Sequence, residues 1–346
     1  MKVLLKSPFS QMSGYGRDGI GLARAILDRK HALRLDPTHV GVPVPRDIAG
    51  LMTYDYHPPF DLVIHHLEPN KAVLTPEAAA AARYNVLWTM WGWDQLPDEE
   101  WVESFRDNVY NYDAVVAYDA LSTEAFRPHV PEEKLFTILG GYESEDWKLP
   151  DKPVPSHPYT FGMVGKLTVR KGVYSAYTAF QLMREAHPEC DAHLILRSTE
   201  PIFPPQVELA ENVHVQIEYA LPEDLRDFYW TLDTLLAPSM AEAKHLPPME
   251  ALGCGIPVIL SDIPGHRNWA TGDMVSWVKT VPKTVLPGYR GGEVKPEALA
   301  EVMWTHYTER GQQIEKARLG ARTLPSMMDW AHCLERLKLR LNIQML

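Results

Sequence analysis

Short apolar runs typical of strands alternate along the chain with longer stretches of helical periodicity. In the first half, strands are predicted over Lys2–Lys6, His39–Val44, Asp61–Leu67, Asn85–Trp91, Ala114–Ala117 and Leu135–Leu139. Helices between them are predicted over Asp18–Arg34, Pro76–Arg83, Asp98–Asn108 and Ser122–His129. Because strands that alternate with helices form βαβ units, the pattern indicates an α/β fold with a parallel sheet.

A proline-rich segment interrupts the alternation, which then restarts. Four prolines fall within residues 148–158, where they exclude a helix interior or a central strand and predict a linker. Strands are then predicted over Tyr159–Val164, Ala192–Arg197, Val213–Ile217, Thr234–Ala237, Pro257–Leu260 and Met274–Lys279. Helices are predicted over Val173–Ala186, Pro222–Leu232, Pro247–Gly253, Pro296–Arg310, Gln312–Leu324 and Met328–Leu341, and a surface loop over Pro282–Pro296.

The length of 346 residues is too great for one ordinary core, and the linker divides the chain into parts of similar size. We therefore predict one α/β domain over residues 1–150 and a second over residues 151–325. In open α/β sheets, ligands bind beside the carboxyl ends of the strands. Functional residues are thus expected in the loops that lead from strands into helices.

Composition and charge exclude several classes of function. A formal net charge of −11 argues against a broad nucleic-acid-binding surface. The three cysteines are far apart without metal-ligand spacing, which favours reduced thiols in the cytoplasm. Apolar runs are too short for a transmembrane segment, although the amphipathic stretch Asp18–Arg34 allows peripheral membrane contact as an alternative to a solvated helix face.

The strongest candidate for chemistry is a pair of glutamates, Glu242 and Glu250, separated by seven residues. The second lies on a predicted helix whose start contains Pro247 and Pro248, positions that tolerate proline because their N–H groups would have no intrahelical partner. The start of a helix favours anions. A carboxylate one turn further on would repel phosphate but would accept hydrogen bonds from the vicinal hydroxyls of a ribose.

This segment resembles the Glu-x7-Glu motif of retaining glycosyltransferases of family 4, and the match continues through Gly253-Cys-Gly-Ile-Pro-Val258. The resemblance implies the GT-B fold, in which two Rossmann-like domains face each other and a C-terminal helix, here residues 326–346, packs back on the first domain. It also implies that Glu250 binds the ribose of a nucleotide donor and that Glu242 lies near the donor sugar. Donor contacts are implied for Lys244, His245, Leu246 and Pro247, where side chains in Ala243-Lys244-His245 replace the usual Gly-Phe-Gly.

A basic cluster directly follows the first strand of the second half. The sequence Gly165-Lys166-Leu-Thr-Val-Arg170-Lys171-Gly172 resembles the family element whose two cations hold the donor diphosphate. Lys171 matches the family lysine, whereas Lys166 stands where an arginine is usual and offers a point charge instead of a two-pronged fork. Arg170 is a third candidate cation. A solvated basic loop is the alternative interpretation.

Two segments of the first half carry weaker signals. Gly14 and Gly16 follow the first strand and resemble the family's glycine-rich loop, although turn formation alone would also explain them. The tryptophan-rich stretch from residue 86 to residue 101 resembles a subgroup of the family, but Gly92 replaces its expected glutamate. Asp94 is the candidate substitute, and His65 and His66 are further polar candidates on the acceptor side.

Together these features predict transfer of a sugar from a nucleotide-diphosphate donor to an unidentified acceptor, with retention of configuration. The predicted catalytic residues are Glu242, Lys166, Lys171 and Asp94. Because the sequence contains no Asp-x-Asp motif, we expect neither a metal nor another cofactor. Two alternatives remain, a nucleotide-sugar-binding protein that has lost transfer activity and a GT-B nucleotide-sugar epimerase.

Overall fold

The apolar runs of the first half form a six-stranded parallel sheet in the computed structural model, which describes residues 1–40, 43–55, 57–93, 96, 99–150, 158–203, 208–286 and 289–343. The strands are β1 (Lys2–Phe9), β2 (Ala32–Val40), β3 (Phe60–His66), β4 (Ala82–Thr89), β5 (Ala114–Ala117) and β6 (Leu135–Thr137). The helices are α1 (Gly14–Asp28), α2 (Arg46–Ala49), α3 (Pro76–Ala79), α4 (Glu99–Val109) and α5 (Ala120–Phe126).

The apolar runs of the second half form another six-stranded parallel sheet. Its strands are β7 (Thr160–Gly165), β8 (His193–Ser198), β9 (Val213–Ile217), β10 (Thr234–Ala237), β11 (Val258–Ser261) and β12 (Ser276–Val278). An antiparallel hairpin follows, formed by β13 (Thr280–Leu286) and β14 (Tyr289–Val294). The helices are α6 (Val173–Ala186), α7 (Pro222–Tyr229), α8 (Leu246–Gly253), α9 (Pro264–Arg267), α10 (Pro296–Thr308), α11 (Arg310–Met327) and α12 (Trp330–Leu341).

The chain divides into two compact units, and the first is assembled from two separate stretches of sequence. The first unit contains residues 1–143 and 328–346, and the second contains residues 144–327. Helix α12 contributes Trp330, Leu334 and Leu337 to the core of the first unit, each at most 3% exposed. The indole of Trp330 also packs edge-on against that of Trp88 on β4.

Several predicted elements of the chain are wrong in position or type, including the helix Pro76–Arg83, whose last residues belong to β4. Residues 29–34 leave the predicted helix Asp18–Arg34, because α1 ends at Asp28 and β2 begins at Ala32 instead of His39. Residues 282–286 and 289–294 belong to the strands of the β13–β14 hairpin, not to a surface loop. The prolines and glycines that suggested a loop fit an edge hairpin, in which Gly292 also donates its N–H to the Met240 carbonyl at 2.8 Å. Most of the predicted linker, residues 151–157, lies outside the described residues.

Strand order identifies the place in each sheet where a ligand pocket forms. The second sheet runs β12-β11-β10-β7-β8-β9, so the connections lead in opposite directions from β7 and diverge between β7 and β10. The first sheet runs β2-β1-β3-β4-β5-β6, and its connections diverge between β1 and β3. Loops at the carboxyl ends of these strand pairs flank a crevice in doubly wound folds. Among the described residues, no helix is long and apolar enough to cross a membrane.

Buried histidines make the second unit sensitive to acid. His306 on α10 is 1% exposed, and its two ring nitrogens lie 3.0 Å from Thr234 Oγ1 and 2.8 Å from Ser276 Oγ. Burial lowers the pKa of His306 from 6.5 to about 3. Below pH 6.5 the unfolded chain therefore binds a proton at His306, whereas the folded chain does not. The free energy of unfolding is full above pH 6.5 and falls as the pH is lowered below this value.

We expect His306→Gln to remove part of this acid sensitivity. At pH 5, burying the neutral ring costs about 2 kcal/mol relative to the protonated unfolded state. The melting temperature of the variant should thus fall less between pH 7 and pH 5 than that of the wild type. His57→Gln, at a side chain that is 86% exposed, is the matched control and should follow the wild type. An equal pH dependence for all three proteins contradicts this expectation.

Candidate active site

The loops after β7 and β10 bring together the basic cluster and the first glutamate of the second unit. Lys171 Nζ lies 2.6 Å from Glu242 Oε1, and a nitrogen of the Arg170 guanidinium lies 2.9 Å from the same oxygen. Arg170 also donates to the Ala241 carbonyl, while the Met240 N–H donates to the Arg170 carbonyl at 2.8 Å. Residues seventy positions apart in sequence are thereby fixed in one polar cluster.

Burial and charge act in opposite directions on this cluster. The side chains of Glu242 and Lys171 are 6% and 14% exposed. Burial favours the neutral acid, but the charges of Lys171 and Arg170 outweigh it and hold the pKa of Glu242 well below its usual range. Burial also lowers the pKa of Lys171, against the attraction of Glu242. Glu242 is therefore ionised, and it is held by two cations.

The second predicted cation, Lys166, has different surroundings. Its side chain is 60% exposed, and Nζ lies 2.7 Å from Glu200 Oε1, whose side chain is 51% exposed. An ion pair this open to water contributes little to stability. The structure therefore joins Lys171 and Arg170 to Glu242, whereas Lys166 lies in a surface ion pair.

Two glycines permit the close backbone contacts that shape the cluster. Gly172 has a positive φ of 73°, and a Cβ atom there would lie 2.1 Å from the Pro238 carbonyl oxygen. A Cβ atom on Gly265 would lie 1.8 Å from the Glu242 carbonyl oxygen. The turns that begin α6 and α9 therefore fit directly against the loop that carries Glu242, and a larger residue at either position forces a shift.

Glu250 lies inside the second unit, one turn into α8. It is 1% exposed, and one carboxylate oxygen accepts a hydrogen bond of 2.8 Å from the hydroxyl of Tyr229 on α7. The ring of Tyr229 packs edge-on against Trp147, which lies just before the predicted linker. The direction of the Glu250 carboxylate is thus fixed by an aromatic residue that the sequence analysis did not single out.

A second buried pair joins the loop before α8 to the start of α9. His245 Nδ1 lies 3.0 Å from His266 Nε2, and the two rings are 4% and 0% exposed. His266 Nδ1 lies 2.9 Å from the carbonyl oxygen of Ser261, the last residue of β11. Of the other donor-site candidates on this loop, Leu246 is buried and Lys244 and Pro247 are half-buried.

The residues of the first unit that were predicted to contact the ligand, Gly14, Gly16 and Asp94, do not form a comparable polar cluster among the described residues. Gly14 and Gly16 lie in the first turn of α1, not in a loop before it, and the hydroxyl of Ser13 caps that helix by accepting from the Gly16 N–H. A Cβ atom on Gly16 would lie 2.4 Å from the Ser10 carbonyl oxygen, so this glycine serves close packing. Asp94 lies outside the described residues.

The two histidines at the end of β3 are packing residues. His66 is fully buried between the hydroxyls of Ser7 and Tyr118, each 2.8 Å from a ring nitrogen. His65 packs edge-on against Tyr112, and burial lowers its pKa to about 3. Both rings form part of the interior of the first unit.

Tyr229, Gly265 and His266 are the site residues that the sequence analysis missed. The last two follow β11, the neighbour of β10, and this position was the signal that could have identified them, because adjacent parallel strands end at the same edge. Tyr229 lies on a helix, and its partner Glu250 is 21 residues away, so local pattern carries no sign of their contact.

The whole fold resembles that of known glycosyltransferases. The crystal structure of HepE from Anabaena in complex with UDP-glucose superposes with a TM-score of 0.71 at 15% identity, covering 99% of each chain. Sucrose-phosphate synthase from Thermosynechococcus elongatus gives 0.71 at 14% identity, covering 98% of each chain. WaaG, a glycosyltransferase of lipopolysaccharide biosynthesis, gives 0.66 at 14% identity, covering 97% of this chain and 99% of that one. The chain therefore has the GT-B fold, as predicted.

The sequence of the second unit supplies an independent match. Residues 158–282, which contain the basic cluster and both glutamates, match the family model of glycosyl transferases group 1. The predicted resemblance to these enzymes is thus confirmed over the part of the chain that carries the candidate site. No curated protein matches the sequence.

Proposed function

We propose that this protein is a glycosyltransferase that moves a sugar from a nucleotide-diphosphate donor to an acceptor. The observation that carries the proposal is the joining of Lys171 and Arg170 to Glu242 beside β7 and β10, within the segment that matches group 1 glycosyl transferases. HepE, which shares the fold, was crystallised with UDP-glucose and with UDP. We extend the donor class, a nucleotide-diphosphate sugar, to this chain.

The proposed chemistry depends on positive charge beside the leaving group. Departure of the nucleotide diphosphate builds negative charge on its β-phosphate, and preorganised cations stabilise such charge by several kcal/mol. Lys171 is the principal candidate because its side chain is only 14% exposed, while Arg170 and the more exposed Lys166 add charge from the same loop. These side chains supply the role that a metal ion has in other transferases, so we propose a reaction without a metal.

Retention of configuration is the second part of the proposal. Glu242 is ionised, and two cations hold its carboxylate in place. A carboxylate held in this way is better suited to stabilising an oxocarbenium-like sugar, or to orienting its hydroxyls, than to acting as a mobile nucleophile. We therefore favour attack by the acceptor on the same face from which the diphosphate leaves. Asp94 of the first unit stays a proposed contributor on the acceptor side.

Glu250 is proposed to recognise the donor ribose, and its Tyr229 partner fixes the carboxylate for that purpose. The proposed location of the reaction is the cytoplasm, whose reducing conditions suit the three free buried thiols Cys190, Cys254 and Cys333.

Donor binding by thermal shift tests the proposal. Wild type and Glu250→Ala are melted with millimolar UDP-, GDP-, ADP- and dTDP-sugars, and each shift is measured from the melting temperature of the same variant without ligand. Because a ligand that binds only the folded state raises the melting temperature, one nucleotide class should raise that of the wild type by several degrees. Glu250→Ala should lose most of this shift.

Glu335→Ala, at a half-buried residue of α12 that pairs with Arg29 in the first unit, is the matched control and should keep the full shift. Absence of a shift with every donor contradicts the proposal. A shift without transfer to any acceptor or to water would favour a binding protein, and interconversion of free nucleotide sugars would favour an epimerase.

A further inference from the structure

The buried pair His245–His266 has a defined arrangement of protons. The Ser261 carbonyl oxygen, 2.9 Å from His266 Nδ1, can only accept. The Ser261 hydroxyl, 3.2 Å from the same nitrogen, donates its proton to the Ser239 carbonyl oxygen, so the proton of neutral His266 lies on Nδ1 and is donated to the Ser261 carbonyl. Nε2 of His266 then carries a lone pair. Because His245 Nδ1 lies 3.0 Å from that lone pair, His245 must donate from Nδ1.

The ring geometry agrees with this assignment. The planes of His245 and His266 differ by 10°, and their centroids are 5.2 Å apart. In the face-to-face stack of His187 on Trp304, by contrast, the centroids are 3.6 Å apart. The two imidazoles are therefore joined edge to edge, nearly in one plane, which is the geometry of an N–H donor pointing at a ring lone pair.

The consequence falls on the other nitrogen of His245. With its proton on Nδ1, neutral His245 presents Nε2 as a hydrogen-bond acceptor, and no residue in the described part of the chain donates to it. Both rings stay neutral, because burial lowers the pKa of His266 to about 4 and that of His245 well below its usual value. The group that complements such an accepting nitrogen is a ligand group that donates a hydrogen bond.

The location of this acceptor is the candidate donor site. His245 is the residue immediately before α8, three residues after Glu242; burial and the charge of Lys171 lower its pKa, against the attraction of Glu242. Lys171 and Arg170 present N–H donors that suit phosphate oxygens. The lone pair on a ring nitrogen, by contrast, repels phosphate oxygens. A hydroxyl group, which can donate to Nε2, is the complementary ligand.

We propose that His245 accepts a hydrogen bond from a hydroxyl of the sugar being transferred, and that His266 is the positioning residue that holds His245 in the required tautomer. This inference rests on the proposed function. It assigns His245 to selection of the sugar rather than to binding of the nucleotide diphosphate. It also gives a role to the side chain that stands where related enzymes have glycine.

The test compares the affinity for a nucleotide diphosphate with that for its sugar conjugate. Isothermal titration is performed with the pairs UDP and UDP-glucose, GDP and GDP-mannose, ADP and ADP-glucose, and dTDP and dTDP-glucose. The variant His245→Asn keeps a donor near His266 but lacks an atom at the Nε2 position. We expect its dissociation constant for the sugar conjugate to rise about fivefold to tenfold, with that for the diphosphate unchanged within twofold.

Deoxy-sugar conjugates of the bound nucleotide identify the hydroxyl. Wild type should bind one monodeoxy conjugate about fivefold to tenfold more weakly than the parent, and His245→Asn should bind the two equally. His266→Leu removes the partner that fixes the tautomer, and it should lower this discrimination while leaving diphosphate affinity unchanged. If the role of His266 were purely structural, His266→Leu would lower the affinity for the diphosphate and for the sugar conjugate to the same extent.

Three results overturn the inference and are distinguishable. Equal weakening of diphosphate and sugar conjugate in His245→Asn assigns His245 to the phosphate or to loop shape. Unchanged affinity for both excludes a contact. Absence of nucleotide binding by the wild type overturns the proposed function itself, and this inference with it.

Discussion

Replacing Lys171 by methionine is expected to lower the rate of nucleotide diphosphate release from the donor by about two to three orders of magnitude. The Lys171 side chain is 14% exposed, and its ammonium lies 2.6 Å from Glu242 Oε1, so water screens this charge little. Methionine retains the length of the side chain without its charge. The measurement is the rate of release, to water or to a supplied acceptor, at saturating donor.

The matched control is Lys295→Met, which removes a lysine that is 54% exposed and pairs with Glu293 at 3.1 Å on the same unit. Its rate should equal that of the wild type. Lys171→Met leaves Glu242 with a single cationic partner, Arg170, and this change can lower stability. The melting temperatures of both variants are therefore measured to establish that they are folded. If the rate of Lys171→Met is within threefold of that of the wild type, the Lys171 ammonium does not contribute to catalysis as proposed.

Gly265→Ala is expected to disable the same cluster without touching any charged group. The added Cβ atom would lie 1.8 Å from the Glu242 carbonyl oxygen, so the loop that carries Glu242 must move. Displacement of a reacting group by about 1 Å lowers rates by about a hundredfold, and overpacking costs about 1–3 kcal/mol of stability. We expect a loss of this size in kcat/KM and a lower melting temperature.

Gly311→Ala separates this effect from the ordinary consequences of adding a methyl group. Gly311 lies on α11, and a Cβ atom there meets nothing within 4 Å. Alanine favours helices more than glycine does, so this variant should be as active as the wild type and equally or slightly more stable. Equal activity of Gly265→Ala and Gly311→Ala would show that the Glu242 loop tolerates the displacement.

Hydrophobic pattern predicted most elements because it depends on short stretches of chain. Val173–Ala186, Val213–Ile217 and Thr234–Ala237 coincide with the observed α6, β9 and β10. The pattern failed at β2, because this strand begins only four residues after the end of α1 and the predicted helix was extended through its first residues, although Leu33-Arg34-Leu35-Asp36 alternates as a strand does. It failed again at the β13–β14 hairpin, where Pro282 lies within β13 and Gly291 and Gly292 lie within β14, so the strands have the composition of a loop.

The residues of the candidate site also fall into those that local sequence predicts and those that it does not. Glu242, Glu250 and Lys171 belong to motifs with fixed spacing, and sequence alone singled them out. Two contacts at the site involve other elements: Tyr229 on α7 donates to Glu250, and His266 on α9 pairs with His245. Such contacts follow from strand order and helix packing, which spacing does not encode. Lys166 shows the converse, since its motif position predicted a role that its exposed pairing with Glu200 does not by itself support.

The discontinuous first unit has a consequence for synthesis on the ribosome. Translation completes residues 144–327, the whole second unit, before it reaches α12. The second unit can therefore close its core while the chain is still growing. The first unit, made earliest, must wait with the apolar surface around Trp88 uncovered until Trp330, Leu334 and Leu337 emerge. In this protein the part translated first is the last to finish folding.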